Sequence, residues 1–168
     1  MNKPTPMDAV FASPQDAAND PRILVFGRLL GAANRLEYIL GRELEAKTGL
    51  SHSLFELLLV VGRAGRGGVP VRDIAQARVL TSGGATRLVR RGLEQDLITR
   101  TTAVRDARVQ MIELTALGER KLLEASALHA RNVERYLVDV LTPEQAAAFA
   151  DSIRTLSVSA ARTLPTMP

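Results

Sequence analysis

The segment that decides the fold is Leu80-Thr-Ser-Gly-Gly-Ala-Thr-Arg-Leu-Val-Arg-Arg-Gly-Leu-Glu-Gln-Asp-Leu-Ile-Thr-Arg100. Apolar residues recur along its first part at three- and four-residue steps, which predicts a helix with one buried stripe. The members of this stripe are Ala85, Leu88, Val89 and Leu93. After Gln95 the repeat changes from helical to alternating. The segment therefore predicts a helix that leads directly into a strand.

The neighbouring sequence extends this pattern in both directions. A short helix is predicted over residues 71–77, and residues 69–71 are predicted as a short extended edge segment because of Pro70. Strands are predicted over residues 97–104 and 108–114, with a turn between them. A helix, a turn, a second helix and a hairpin follow one another in this order in a winged helix-turn-helix.

Further helices flank this centre on both sides. One is predicted over residues 22–47, and the next begins at Ser51 or Ser53, where Glu56 would complete a capping box. After the hairpin, Thr115 caps a long helix to about residue 141, and Thr142 caps a last helix to about residue 162. The predicted fold class is mainly α with a small β-hairpin wing.

Composition limits the class of protein. Apolar residues make up 46% of the 168 residues, which is enough for a packed core. Aromatic residues make up only 4%, which disfavours stacking on single-stranded nucleic acid, and the absence of cysteine excludes thiolate chemistry. No signal peptide or membrane-length apolar run is visible, so a cytoplasmic location and no contact with a membrane are expected.

The positive charge is concentrated in one stretch. Residues 78–110 hold seven arginines against Glu94, Asp96 and Asp106, an excess of four that equals the net charge of the whole chain. Arginine suits forked contacts with phosphate and guanine. A solvated basic face is the alternative interpretation.

At this point the sequence resembles the MarR family of transcriptional regulators, over about residues 22–162. The resemblance lies in Val71-Arg-Asp-Ile-Ala-Gln-Ala77, the quoted segment, Asp106-Ala-Arg108 in the wing and Leu114-Thr-Ala-Leu-Gly118 after it. Two departures stand out. Asp96 occupies a position where family members often have glycine, and Gly92 lies inside the recognition helix, where glycine costs about 1 kcal/mol relative to alanine.

The resemblance implies that the helix after residue 81 enters a major groove with its N-terminal end first. Arg87 is the candidate for reading guanine, Arg90 and Arg91 for holding phosphates, and Arg105 for reaching the minor groove. Asp106 would pair with Arg108 and shape the wing; an ordinary turn aspartate with a surface arginine is the alternative. The predicted DNA-binding residues are Thr81, Ser82, Gly83, Thr86, Arg87, Arg90, Arg91, Arg105 and Arg108, and Thr81 or Ser82 could instead be only a helix cap.

The resemblance also implies a homodimer on a palindromic operator. Residues 21–50 and 115–162 would form the dimerisation region around a DNA-binding region over 51–114, with a flexible arm over 1–20 and a tail over 163–168. Packing of the terminal helices on their own subunit is the alternative. A small anionic or phenolic effector is expected to release the DNA, and its candidate ligands are Arg35, Tyr38, His52, Phe55 and Met111. Core or surface roles remain open for these five residues.

The expected function is a transcriptional regulator, with repression as the expected mode. No nucleotide-binding, nucleophile or metal-ligand motif is present, so no enzyme, no metal and no cofactor are expected. Gly65-Arg-Gly-Gly68 lacks the residues of a phosphate loop and is interpreted as a connector. The alternatives are a winged helix that binds only protein and an enzyme of another type.

Overall fold

The computed structural model describes residues 11–103 and 106–164. The nine elements that the sequence predicted follow one another in the predicted order, and the described residues form eleven elements in all. They are α1 (Pro14–Ala18), α2 (Pro21–Thr48), α3 (His52–Ala64), β1 (Val69–Pro70), α4 (Val71–Ala77), α5 (Ser82–Glu94), β2 (Ile98–Ala103), β3 (Asp106–Leu114), α6 (Ala116–Val133), a π-helical turn (Glu134–Val138) and α7 (Pro143–Thr163). The predicted fold class, mainly helical with a small wing, is confirmed.

The chain divides into two units, residues 1–38 and 39–168, at a boundary inside α2. In the first unit, α1 was not expected from the sequence. The side chain of Ser13 caps it by accepting a hydrogen bond from the Asp16 amide at 3.1 Å. Asp20 begins α2 by accepting the Arg22 amide at 2.9 Å, and the Arg22 guanidinium bound to the same carboxylate lowers the pKa of Asp20 to about 2.

The core of the second unit surrounds α3. Leu57 and Leu58 of this helix are completely buried, as are Ile74 of α4, Val89 of α5 and Ile112 of β3. Of the stripe predicted for α5, Ala85, Leu88 and Val89 are buried and Leu93 is half-buried. The predicted buried face of α5 is therefore confirmed.

The three strands form one antiparallel sheet in the order β1-β3-β2. Val69 of the edge strand pairs with Ile112, and Ile98 of β2 pairs with Leu114. The turn predicted over residues 105–107 is wrong at Asp106 and Ala107, because both already belong to β3. Residues 104 and 105 lie outside the described part of the chain.

Two predicted helix ends differ from the structure. Ser51 precedes α3 but makes no side-chain cap, and Glu56 pairs with side chains elsewhere instead of completing a capping box. The helix predicted to continue to about residue 141 changes at Glu134 into a π-helical turn. That wider turn contains Tyr136, whose hydroxyl donates a 2.6 Å hydrogen bond to Glu43 of α2. The capping box at Thr142 and Gln145 is confirmed.

The two departures from the family pattern have structural reasons. Asp96 has φ +54°, the left-handed conformation in which glycine is favoured and aspartate is tolerated. The Asp96 amide bonds the carbonyl of Leu93, and the Leu97 amide bonds that of Gly92, a Schellman motif that ends α5. Gly92 is buried, and a Cβ there would lie 2.8 Å from Ile98 and 3.1 Å from Leu57. An alanine at position 92 would have to displace the ends of the Ile98 and Leu57 side chains, so the close packing of α5 on β2 and α3 favours glycine there.

We expect Asp96→Gly to stabilise the fold and Asp96→Ala to destabilise it, each by about 0.5–1 kcal/mol, because only glycine adopts this φ without strain. Chemical denaturation of the three proteins measures the difference. Equal stability of the glycine and alanine variants would contradict the strained end of α5.

Candidate nucleic-acid interface

The helix-turn-helix consists of α4, α5 and the residues between them. Thr81 caps α5, and its side chain accepts the Gly84 amide at 3.1 Å. Ser82 is the first residue of α5, and its carbonyl accepts the Thr86 hydroxyl at 2.9 Å. Of the two cap candidates, Thr81 is the cap. Ser82 is therefore not needed as the cap at the start of α5, and it is exposed.

The first turns of α5 present a surface of small, exposed residues. Ser82, Gly83, Thr86 and Arg87 are all exposed, on the side opposite the buried stripe. A Cβ built on Gly83 would meet no atom within 4 Å, so packing within the chain does not require glycine there. A second molecule could therefore approach the backbone of α5 closely at this point.

The three arginines of α5 differ in their partners. Arg90 lies 3.6 Å from Glu94, one helical turn away, and Arg91 lies 3.5 Å from the hydroxyl of Ser51. Arg87 has no ion-pair or hydrogen-bond partner among the residues that the structure describes. Of the three, Arg87 has the guanidinium that is available to a ligand without breaking an existing contact.

Arg78, counted above in the basic stretch, belongs to a different part of the molecule. It caps the C-terminal end of α4 and forms an ion pair with Glu56 of α3, with both side chains half-buried. The same carboxylate lies 3.6 Å from His52. Arg78 therefore fixes the start of the turn between α4 and α5 to the core helix, and the exposed positive charge is smaller than the sequence count.

Glu113 of β3 links the hairpin to the segment before β1. Its carboxylate accepts the Thr101 hydroxyl at 3.3 Å and the Gly67 amide at 3.1 Å. Arg105 and the side chains of Asp106 and Arg108 lie outside the described part of the chain, so their roles stay predictions. Glu113 was not singled out from the sequence because its two partners are distant along the chain.

The five candidate effector residues do not form one group within either unit. Arg35 and Tyr38 are exposed in the first unit, and Met111 is half-buried in β3. His52 and Phe55 lie together in the second unit, where the ring of His129 is 5.9 Å from His52 and 5.0 Å from Phe55. Phe55 is 1% exposed and belongs to the core. His129 was missed because helical periodicity alone does not distinguish it from its neighbours.

The surroundings of His129 predict that folding depends on pH. Burial lowers its pKa, and the adjacent charge of His52 lowers it further. The carboxylate of Glu56, which lies 3.6 Å from His52, carries a charge opposite to that of a protonated histidine. The unfolded chain therefore binds a proton more readily, so stability is full above the ordinary histidine pKa of about 6.5 and is lost as pH falls below it.

We expect His129→Gln to reduce the loss of unfolding free energy between about pH 7.5 and pH 5.5, because the titrating group is removed. Urea denaturation of both proteins at the two pH values measures this. Parallel losses in the two proteins would assign the dependence to other groups.

Comparisons with known proteins give the fold. No protein-family model matches this chain, and no curated protein matches it. A MarR family transcriptional regulator from Streptomyces coelicolor, solved in complex with DNA, superposes with a TM-score of 0.75 and 23% identity, covering 90% of this chain and 91% of that one. AbsC, a MarR family transcriptional regulator from the same organism, gives 0.72 at 17% identity, covering 89% and 97%. A MarR mutant from E. coli, complexed with operator DNA, gives 0.71 at 18% identity, covering 80% and 95%.

The chain therefore has the fold of the MarR-family transcriptional regulators, as the sequence predicted. These neighbours are transcriptional regulators. Among the described residues, no helix has both the length and the apolar character that crossing a membrane requires.

Proposed function

We propose that this chain is a MarR-family transcriptional regulator that binds double-stranded DNA through α5. The observation that carries the proposal is the exposed face of α5, which consists of Ser82, Gly83, Thr86 and Arg87. The Arg87 guanidinium on this face has no partner among the residues that the structure describes. Several structures with this fold were solved with DNA, which supports the same role here.

The chemistry of this face suits a major groove. A groove about 12 Å wide admits one helix, and small residues at the helix start let its backbone approach the base edges. Arg87 would then donate two hydrogen bonds to a guanine. Arg90 and Arg91 would hold phosphates, for which the weak contacts with Glu94 and Ser51 would be exchanged. The predicted roles of Thr81, Arg105 and Arg108 belong to the same proposal.

The functional unit is a homodimer in this proposal. None of the 21 residues of α7 is buried, and Phe149, Ile153 and Leu156 are exposed along it. In the first unit, Ile23, Phe26 and Leu30 of α2 are exposed as well. Apolar helix faces of this length are favoured only when another surface covers them. A second copy would cover them and place two recognition helices about 34 Å apart on a palindromic operator.

The regulatory outcome in this proposal is repression, with a small molecule that releases the DNA. A bound dimer on a promoter would exclude other proteins from it. This makes the chain a DNA-binding switch rather than an enzyme, in a cytoplasmic location.

The test is a salt titration of duplex binding, with mass measured by light scattering. We expect a dimer that prefers one palindromic fragment from its own promoter region over random duplex. Its affinity should fall steeply between about 50 and 200 mM salt, because neutralised phosphates release counterions. A chain with no duplex affinity at low salt would contradict DNA binding and favour the alternative of a protein-binding winged helix.

A further inference from the structure

Both histidines of the chain lie where α2, α3 and α6 meet. His52 begins α3, and its ring lies 5.9 Å from that of His129 on α6. A Cβ built on Gly41 of α2 would lie 3.3 Å from the Cβ of His52, so α2 packs directly against this histidine. Histidine is the side chain whose ordinary pKa places its change of charge between about pH 5 and 8. A response of the side chains to mild acid therefore begins at this pair.

The two rings have different surroundings. The Nδ1 atom of His129 is buried without a hydrogen-bond partner among the residues that the structure describes, and so is the amide nitrogen of Asn132, one turn further along α6. The ring of Phe55 lies 5.0 Å from that of His129. Nε2 of His52, in contrast, lies 3.6 Å from the carboxylate of Glu56. A carboxylate stabilises a protonated imidazole, so the first proton that the pair takes up belongs on His52.

The charged groups of the neighbouring helices are exposed or have partners of their own. Glu43 of α2 accepts the Tyr136 hydroxyl at 2.6 Å, and Arg91 of α5 lies 3.5 Å from the Ser51 hydroxyl. The exposed ones are Arg42 and Glu45 of α2 and Arg131 of α6. Glu56 is therefore the anionic partner of a protonated His52.

The carboxylate of Glu56 is shared between two cationic neighbours. Oε1 faces His52, and Oε2 forms the ion pair with Arg78. Both side chains of this ion pair are half-buried, so water screens their attraction only in part. A proton on His52 places a second cation beside the same carboxylate and weakens the attraction that holds Arg78.

Arg78 connects this carboxylate to the turn that sets the direction of α5. The Arg78 amide bonds the Ile74 carbonyl at 3.0 Å, and the Leu80 amide bonds the Ala75 carbonyl at 2.9 Å. Between them Val79 has φ +50°, which is costly for a β-branched residue. Such a conformation persists only where the surroundings hold it. Loosening Arg78 therefore lets the turn relax and changes the orientation of α5.

We propose that Glu56 positions α5 for DNA through Arg78, and that a proton on His52 weakens this hold and lowers the affinity for duplex. The link between the three side chains stands on their contacts, whereas its effect on duplex rests on the proposed function. Because the DNA-free protein then holds the proton more firmly, affinity falls as pH drops through the ordinary histidine pKa of about 6.5. The sign is opposite to that of a proton placed elsewhere on the protein, which would attract phosphate.

The first experiment measures affinity for the preferred duplex at about pH 7.5 and pH 6.0, at one salt concentration. We expect the unchanged protein to bind about fivefold more weakly at the lower pH. His52→Gln should not lose affinity on acidification. His129→Gln is the matched control, because it removes the other histidine of the chain and should keep the loss. Equal pH dependence in the unchanged protein and His52→Gln, or its disappearance in His129→Gln, would overturn the proposal.

The positioning part is tested at about pH 7.5. Glu56→Gln and Arg78→Gln should each weaken duplex binding about fivefold and remove the pH dependence, and the double variant should lose no more than either single one. Arg78→Lys, which keeps the charge, should restore most of both. Circular dichroism and light scattering establish that folding and mass are unchanged, and if one variant does not fold, the other decides. Normal duplex binding by a folded Glu56→Gln would overturn the positioning role.

The link itself is measured without DNA, by nuclear magnetic resonance titration of the two histidine rings. Arg78→Gln should move the midpoint of the His52 titration up by about half a pH unit or more, because the Glu56 carboxylate then serves His52 alone. An unchanged midpoint would overturn the competition for Glu56. A chain that shows this shift but binds no duplex at either pH would contradict the proposed function, while the link between His52 and Arg78 would stand.

Discussion

Arg87→Ala is expected to weaken binding to the preferred duplex about ten- to a hundredfold, because a bidentate contact with guanine contributes about 1–3 kcal/mol. The guanidinium has no partner among the described residues, so its removal leaves no buried charge unpaired and should not change stability. The loss should be larger on the preferred duplex than on random duplex, since a base contact carries sequence information and a phosphate contact does not. Fluorescence anisotropy with both duplexes measures the two losses.

Two variants separate base reading from charge. Arg87→Lys keeps the charge but lacks the fork, so it should bind random duplex normally and still lose preference. Arg131→Ala removes the same charge from an exposed position near the end of α6 and should bind like the unchanged protein. If Arg87→Ala and Arg87→Lys both bound the preferred duplex normally, base reading by Arg87 would be wrong. Equal losses on both duplexes would make Arg87 a phosphate contact.

The parts of the fold that local chemistry decides could be predicted from the sequence. The buried stripe of α5 follows from the spacing of its apolar residues, and the starts of α5, α6 and α7 follow from the caps Thr81, Thr115 and Thr142. In each case the partners lie within one helical turn. The hairpin of β2 and β3 could also be predicted, because apolar and polar residues alternate in two stretches separated by a short turn.

The parts that depend on distant residues could not be predicted. The pairing of Arg78 with Glu56 joins two helices, and nothing in either segment indicates it. The same holds for the hydrogen bond from Tyr136 to Glu43 and for the ring contact of His129 with Phe55. Local periodicity fixes which face of a helix is buried, but not which distant side chain meets it.

The junction between the wing and α6 shows what the Leu-Thr-x-x-Gly pattern does. The Thr115 hydroxyl donates to the Asp96 carbonyl at 2.6 Å and accepts the Gly118 amide at 2.9 Å, while the Thr115 amide bonds the Leu97 carbonyl at 3.1 Å. One threonine thus caps α6 and holds it on the residues that precede β2. Gly118 then lies directly against the backbone of Leu97.

Gly118→Ala is therefore expected to destabilise the fold by about 3 kcal/mol or more, because the new Cβ would overlap the carbonyl of Leu97. That carbonyl cannot move aside without losing its hydrogen bond from Thr115. For a domain of this size the melting temperature should fall by about 6–12 °C. Calorimetry or thermal circular dichroism measures the shift.

Gly83→Ala is the matched control for Gly118→Ala. The same atom is added inside a helix, but nothing lies within 4 Å of it, so stability should rise by about 0.5–1 kcal/mol. If Gly118→Ala melted at the temperature of the unchanged protein, the close contact between α6 and Leu97 would be wrong.

The Gly83→Ala variant also tests the proposed DNA interface. It should be more stable and yet bind duplex more weakly, because the methyl group lies where the backbone of α5 is proposed to approach DNA. Gly118→Ala, at temperatures where it remains folded, should bind duplex with unchanged affinity, so the two glycines separate packing within the chain from contact with DNA.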